Sequence, residues 1–300
     1  SDQGLRMPDA AGNFFTNNTI GGHLFSGVEM EGGASGNVFV GNVIRSNGNQ
    51  FFLSGSFVTG NAFISNTVVR GTWGFRLSGA GRNRFTNNGV YRANRGVEIG
   101  SGASSNTFRG NRLYSNSLVG VDFIAGANKG NLFVRNLIYG NATTGIGLGG
   151  SSTNNGFFNN VIYGNGTRGA RVDAASTANR FVNNAYLSNG AIGFTNAGAL
   201  TVVSNEIYFG HTGRHFTNTG SFFGGDRITA NPLFSNASAG NFRLSGPSPL
   251  SAAVDKGKTN GLMQYDATAV QGVKRDIGAY ESAFTNAPNA VSNASTGVKY

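Results

Sequence analysis

Four charged residues, Arg76, Glu98, Asp122 and Arg171, each stand third in a short segment that opens on glycine. The segments read Gly74-Phe75-Arg76-Leu77, Gly96-Val97-Glu98-Ile99, Gly120-Val121-Asp122-Phe123 and Gly169-Ala170-Arg171-Val172. If they are strands stacked in successive layers, the side chains of Arg76, Glu98 and Asp122 lie about 5 Å apart. Two carboxylates that close raise one another's pKa unless a cation intervenes. Ca²⁺ bound by Glu98 and Asp122 with neighbouring Asn oxygens is one such cation, and the Arg76 guanidinium is another. A guanidinium beside a carboxylate base is also what abstraction of a proton next to a carboxylate requires, because the substrate's charge must be neutralised first. One residue per layer gives the whole column as Glu29, Phe52, Arg76, Glu98, Asp122, Gly147, Arg171, Thr195 and His215.

An internal repeat supplies the elements that must position this column. Its signature is Asn-x-Phe-x-x-Asn-x-apolar, and it runs from Asn13/Phe15/Asn18/Ile20 to Asn179/Phe181/Asn184/Tyr186 in eight copies. A degenerate ninth copy reads Leu200/Val202/Asn205/Ile207, and the second Asn recurs every 21–25 residues. A unit that short holds three small strands separated by Gly, Asn and Ser turns. It cannot bury its own apolar face, so the units must stack. Stacking places the Phe column and the column of Ile20, Ile44 and Val68 inside. The second Asn then sits at a corner, where an amide tolerates left-handed backbone and bonds to the Asn above and below. These Asn are structural. The fold class is all-β, a right-handed parallel β-helix (solenoid) of about nine or more coils with a C-terminal cap.

Composition agrees. The 48 Gly and 39 Asn are poor helix formers, while 24 Phe and 39% apolar residues argue for a core rather than disorder. The absence of Cys excludes disulfides, thiolate metal sites and a cysteine nucleophile. No apolar run is long enough for a membrane-spanning helix, and residues 1–12 lack the pattern of a signal peptide. A leucine-rich solenoid is disfavoured by the period and the missing Leu consensus, and a pentapeptide solenoid by the absence of a five-residue repeat.

The formal charge is +10, from 18 Arg and 5 Lys against 13 acids. Between Arg70 and Arg112 there are eight Arg and a single acid, Glu98. Such a belt attracts a polyanion. The residue three after the corner Asn reads Tyr91, Tyr114, Tyr139, Tyr163, Leu187 and Tyr208. A Tyr row can stabilise a solenoid or contact sugar rings. Arg70, Arg92, Arg95, Tyr91, Tyr114 and Tyr139 are therefore the candidate substrate-binding residues. Nucleic acid is admitted by charge alone, but no nucleic-acid fold or motif appears.

Residues 13–209 resemble the pectate-lyase-like superfamily of right-handed β-helices, in its Asn-rich parallel-helix-repeat branch. Further on, Asn231-Pro232-Leu233-Phe234, Asn241-Phe242-Arg243-Leu244 and Asp276-Ile277-Gly278-Ala279-Tyr280-Glu281 resemble the C-terminal segment of secreted bacterial β-helix proteins. Asn231 stands there in place of the usual Asp. The resemblance implies repeats over 1–209 with the N-terminal cap absent or trimmed, last coils and cap over 210–281, and a flexible tail over 282–300. It implies an extracellular or cell-surface bacterial protein that engages an acidic polysaccharide, as a lyase acting by β-elimination with Arg76, Glu98, Asp122 and Arg171 as its catalytic set. The catalytic signatures of alginate epimerases and polygalacturonases are missing, and Lys129, the one Lys of the repeats, falls in a turn. His23, His211 and His215 read as surface or end residues. The alternative is a non-catalytic rod: an adhesin, a spacer or a filament subunit that associates end to end.

Overall fold

The computed structural model of the chain describes residues 2–244, together with Ala253, Lys256, Ile277 and Gly278. Numbering coils by the copies of the repeat, each contributes three short strands. In coil five these are Thr107–Arg109, Arg112–Tyr114 and Val119–Phe123. First strands build a ten-stranded sheet, and second and third strands build a seventeen-stranded one. Pairing is parallel and follows the repeat: Phe85 lies beside Phe63 and Phe108, and Val90 beside Val68 and Leu113. In coils two to four the second and third strands run together as Val43–Ser54, Thr67–Ser78 and Gly89–Gly100. A strand Gln3–Pro8 precedes coil one, and Phe222–Phe223 and Arg227–Ile228 begin a coil after the ninth.

The interior is an aromatic column. Phe39, Phe63, Phe85, Phe108, Phe133 and Phe157 are buried and stacked, with successive ring centroids 5.3, 4.8, 4.4, 4.5 and 5.0 Å apart. Coil spacing dictates this, since identical flat rings repeated at the inter-strand distance meet at contact.

The corner Asn form ladders. Asn111 donates through its backbone N and Nδ2 to Asn136 Oδ1 at 2.9 and 3.0 Å, and Asn136 does the same to Asn160 at 2.9 and 3.0 Å. The other Nδ2 hydrogen reaches back, from Asn136 to the Phe108 carbonyl at 3.0 Å. A short amide alone offers one acceptor and two donors in this space. A third ladder, Asn116, Asn141, Asn165 and Asn189, closes another corner in the same way. The two-Asn signature leaves it out, although Tyr114-Ser115-Asn116, Tyr139-Gly140-Asn141 and Tyr163-Gly164-Asn165 carry it in plain view.

The ninth copy sits one residue away from its expected register. Val203 rather than Val202 lies beside Phe181, and Tyr208 rather than Ile207 lies beside Tyr186, fully buried. A one-residue slip exchanges inward and outward sets. Tyr208 therefore leaves the outward Tyr row, and Phe209 takes its place beside Leu187. In the charged column Thr217, not His215, follows Thr195. The ladder position falls to Glu206 instead of Asn205: Asn184 N and Nδ2 donate to its two carboxylate oxygens, each at 3.1 Å.

Glu206 is completely buried, and burial raises its carboxyl well above the usual range although Asn184 favours the charged form. The unfolded chain releases this proton near pH 4.3, the folded one only at a higher pH. The group's contribution to stability is thus whole below about pH 4.3 and is lost as pH rises through the folded value. Glu206→Asn restores an ordinary rung. We expect its stability advantage over the parent, measured by urea denaturation, to be larger at pH 7.5 than at pH 4. An advantage independent of pH would show that Glu206 ionises normally.

Residues 231–244, expected within an end cap, lie instead along the flank. Phe234–Asn236 and Asn241–Leu244 form an antiparallel hairpin. Phe242, Leu244, Ala253 and Ile277 are buried together with Leu137, Val161, Ala185, Leu187 and Ile207, outward residues of coils six to nine. Phe242 packs edge-on against Tyr139 and Tyr163 at 5.2 and 5.4 Å. The reason is compositional. The outward position held by Leu137, Val161 and Ala185 is Thr67, Gly89 and Arg112 in coils three to five, which need no cover. Asp276 and Ala279-Tyr280-Glu281 of the motif, and the tail 282–300, lie outside the described residues.

Candidate functional site

The third strands bring the charged column together in the expected order. Arg76, Glu98, Asp122, Gly147, Arg171 and Thr195 are successive register partners, and Arg6 and Glu29 stand before Phe52. Glu98 is 4% exposed. It accepts from Arg76 Nε at 3.0 Å and Trp73 Nε1 at 2.8 Å, and Arg95 Nε lies 3.7 Å away. Arg95 also donates to Asp122 Oδ2 at 2.8 Å. The Arg76 guanidinium lies 4.5 Å from the Trp73 ring centroid and 5.0 Å from that of Phe52.

Arginine therefore balances the two carboxylates. Ca²⁺ needs six to eight oxygen ligands, and both oxygens of Glu98 and one of Asp122 already face N–H donors. Among the described residues no three His, Cys, Asp or Glu converge. The Glu98 and Asp122 pair does not fit a Ca²⁺ site, and no chemical step is assigned to a metal.

One coil further on the column is interrupted. Gly147 stands between Asp122 and Arg171, and its missing side chain opens a cleft of about 270 Å³ lined by Val119, Thr143, Thr144, Gly149, Arg171 and Asp173 among others. Asp122 Oδ1 overhangs the gap, 3.3 Å from where a Cβ on Gly147 would stand, and no donor reaches it among the described residues. Across the gap Arg171 is half exposed and pairs through Nε with Asp173. Asp122 and Arg171 thus line the same cleft from the strands on either side of a glycine floor, roughly 10 Å apart at the backbone. Sequence reasoning placed Gly147 in the column but missed that its lack of a side chain makes the site, and missed Asp173 and Trp73.

The remaining candidates divide by face. Arg95 joins the cluster above the cleft. Arg70, Arg92, Tyr91 and Tyr114 stand past a corner, on the outward side of the second strands, with Tyr91 and Tyr114 stacked at 4.9 Å. Tyr139 stacks on Tyr114 at 5.0 Å and is covered by Phe242. Arg84 and Arg109 lie in first strands, on the other sheet. The eight arginines surround coils three to five rather than forming one patch.

The family description that matches the sequence is "Right handed beta helix region", over residues 1–136. Among solved structures, pectate lyase Pel9A is 17% identical with a TM-score of 0.54, over 92% of this chain and 85% of that one. The chain is a right-handed parallel β-helix. The periplasmic alginate epimerase AlgG is 16% identical with a TM-score of 0.51, over 67% of this chain and 61% of its own. ORF18 of Geobacillus virus E2 is 15% identical with a TM-score of 0.55, over 73% of this chain and 54% of its own. The β-helix thus spans less than two thirds of the epimerase and viral chains. At these identities the likeness is one of fold. No curated protein matches the sequence. Among the described residues no helix is long and apolar enough to cross a membrane.

Proposed function

We propose that this β-helix engages an acidic polysaccharide in the cleft above Gly147, outside the cytoplasm, and cleaves it by β-elimination. The observation that carries the reading is the unbonded Asp122 Oδ1 over Gly147, in a cleft that Arg171 also lines from the next strand. A uronate carboxylate paired with the Arg171 guanidinium loses part of its charge, which acidifies the adjacent C–H. Asp122 Oδ1 takes that proton. The C–H electron pair forms a double bond to the next ring carbon, whose bond to the glycosidic oxygen breaks, and the departing oxygen is protonated by water. Arg76, Glu98, Trp73 and Arg95 act as a rigid wall, with Arg95 holding Asp122 in place. Two structural neighbours named for pectate and alginate support the choice of polymer.

A second reading follows from the same geometry. Arg76 with Glu98, Arg95 with Asp122 and Arg171 with Asp173 neutralise one another, as suits a non-catalytic binding rod. Incubation with short oligouronates from pectate and alginate separates the two. We expect the ultraviolet absorbance of unsaturated uronate to appear, and Asp122→Asn to abolish it while leaving binding within about threefold. Binding without product would favour the rod; neither binding nor product would overturn both.

A further inference from the structure

Past the corner from the cleft, the flank of coils two to five presents Arg45, Arg70, Arg92 and Arg112, all exposed. Among the described residues no ion pair holds any of them, and Arg112 alone has side-chain partners, donating to the Gly240 carbonyl at 3.3 Å and to the Tyr139 hydroxyl at 3.5 Å. Two occupy backbone that disfavours a long side chain. Where the second strand turns into the third, φ is positive from coil to coil, and Ser46, Ser115, Gly140, Gly164 and Ser188 fill the position. Coils three and four place Arg70 and Arg92 there, both at φ 57°. Left-handed backbone is unfavourable for bulky residues, and like charges on neighbouring strands repel. Left-handed corners belong to the coil itself, and Arg82 and Arg135 adopt them too; what sets Arg70 and Arg92 apart is their place on adjacent coils within one row of exposed arginines, a repulsion that a polyanion would relieve. Beside them Tyr91 and Tyr114, half-buried, stack at 18° to one another. Their faces cover each other, so they present edges and hydroxyls. The Tyr row continues into Tyr139 and Tyr163, where Phe242 covers it; on coils two to five no side chain among the described residues packs over the strip in this way.

We propose that this strip is a second binding site for an acidic polysaccharide, separate from the cleft, in which the arginines pair with successive carboxylates and the tyrosine hydroxyls bond to sugar hydroxyls. Charge selects the polyanion, and the self-stacked rings, with no free face for a base, select sugar over nucleic acid. The inference does not depend on catalysis at the cleft.

Affinity electrophoresis through gels containing polygalacturonate or alginate tests it. Arg70→Ser with Arg92→Ser installs the residue used by neighbouring coils, so the fold is retained and thermal stability is unchanged or raised. We expect about tenfold weaker retention from losing two charge contacts, and a shallower salt dependence. Tyr91→Phe with Tyr114→Phe keeps the stack and should weaken retention by a few-fold. Gly147→Thr, which fills the cleft and weakens binding there, should still be retained by the polymer gel, because a long chain keeps its hold on the strip. Unchanged retention in the Arg double variant, complete loss in Gly147→Thr, or no retention of the parent protein would each overturn the proposal. Displacement of the polymer by an equal charge of single-stranded oligonucleotide would overturn its assignment to polysaccharide.

Discussion

Replacing Asn136 with alanine is expected to lower the free energy of unfolding by about 4 kcal/mol, because it strands several buried polar groups at once. Asn136 is fully buried and is the acceptor for both the backbone and side-chain N–H of Asn111. It is also a donor to Asn160 Oδ1 and to the Phe108 carbonyl. Alanine leaves the Asn111 backbone N–H and one Asn111 Nδ2 hydrogen without their acceptor in a dry interior, and each such group costs about 1–3 kcal/mol. Asn136→Asp should be worse still, since a carboxylate keeps the acceptor and adds a buried charge while losing both donors. Asn13, at the exposed end of the first ladder, makes fewer such bonds, and Asn13→Ala should cost less than about 1 kcal/mol. Urea denaturation followed by circular dichroism measures both. Equal, small effects would mean that the ladders accompany the fold without holding it.

Two glycines on one strand should behave in opposite ways. A Cβ on Gly145 would stand 2.6 Å from the Gly169 carbonyl oxygen, 2.7 Å from Ile162 Cγ2 and 2.9 Å from Asn165 Nδ2. Two coils would have to part along the third ladder, so Gly145→Ala should cost about 3 kcal/mol or fail to fold. A Cβ on Gly147 would meet only Asp122 Oδ1 at 3.3 Å and the Val121 carbonyl oxygen at 3.9 Å. Asp122 is a partly exposed side chain that can yield. Thr already occupies the same column at Thr195, and β-branched residues suit strands. Gly147→Thr should therefore fold with stability within about 1 kcal/mol of the parent, and should lose the cleft. Gly145 belongs to the fold and Gly147 to the site, though both sit in Gly145-Ile146-Gly147-Leu148.

That contrast marks where sequence reading stops. The solenoid was legible because a stacked coil repeats its chemistry: Phe meets Phe and Asn meets Asn, so Phe85 and Asn88 announce Phe108 and Asn111. Order along the charged column was legible for the same reason. Pairing was not, because whether Glu98 meets a metal or an arginine depends on side-chain reach, and Arg95 and Trp73 come from a neighbouring column. The ninth copy misled because the spacing of 21 to Asn205 was shorter than any earlier interval; Glu206 restores 22 and carries the ladder in a carboxylate. The hairpin on the flank was written in Leu137, Val161 and Ala185, apolar residues at an outward position, but an end cap drew on the same segment. Arg70 and Arg92 looked like belt residues until their backbone showed them filling a corner suited to Ser or Gly.

An acidic sugar chain that enters the gap over Gly147 needs that position to lack a side chain. Isothermal titration of a short oligouronate into the parent protein and into Gly147→Thr tests it most directly, with thermal melts confirming that both are folded. We expect measurable binding by the parent and at least about a tenfold loss in Gly147→Thr, because the added side chain occupies the space between Asp122 and Arg171. Equal affinities in the two folded proteins would contradict it and move the function off this face of the rod.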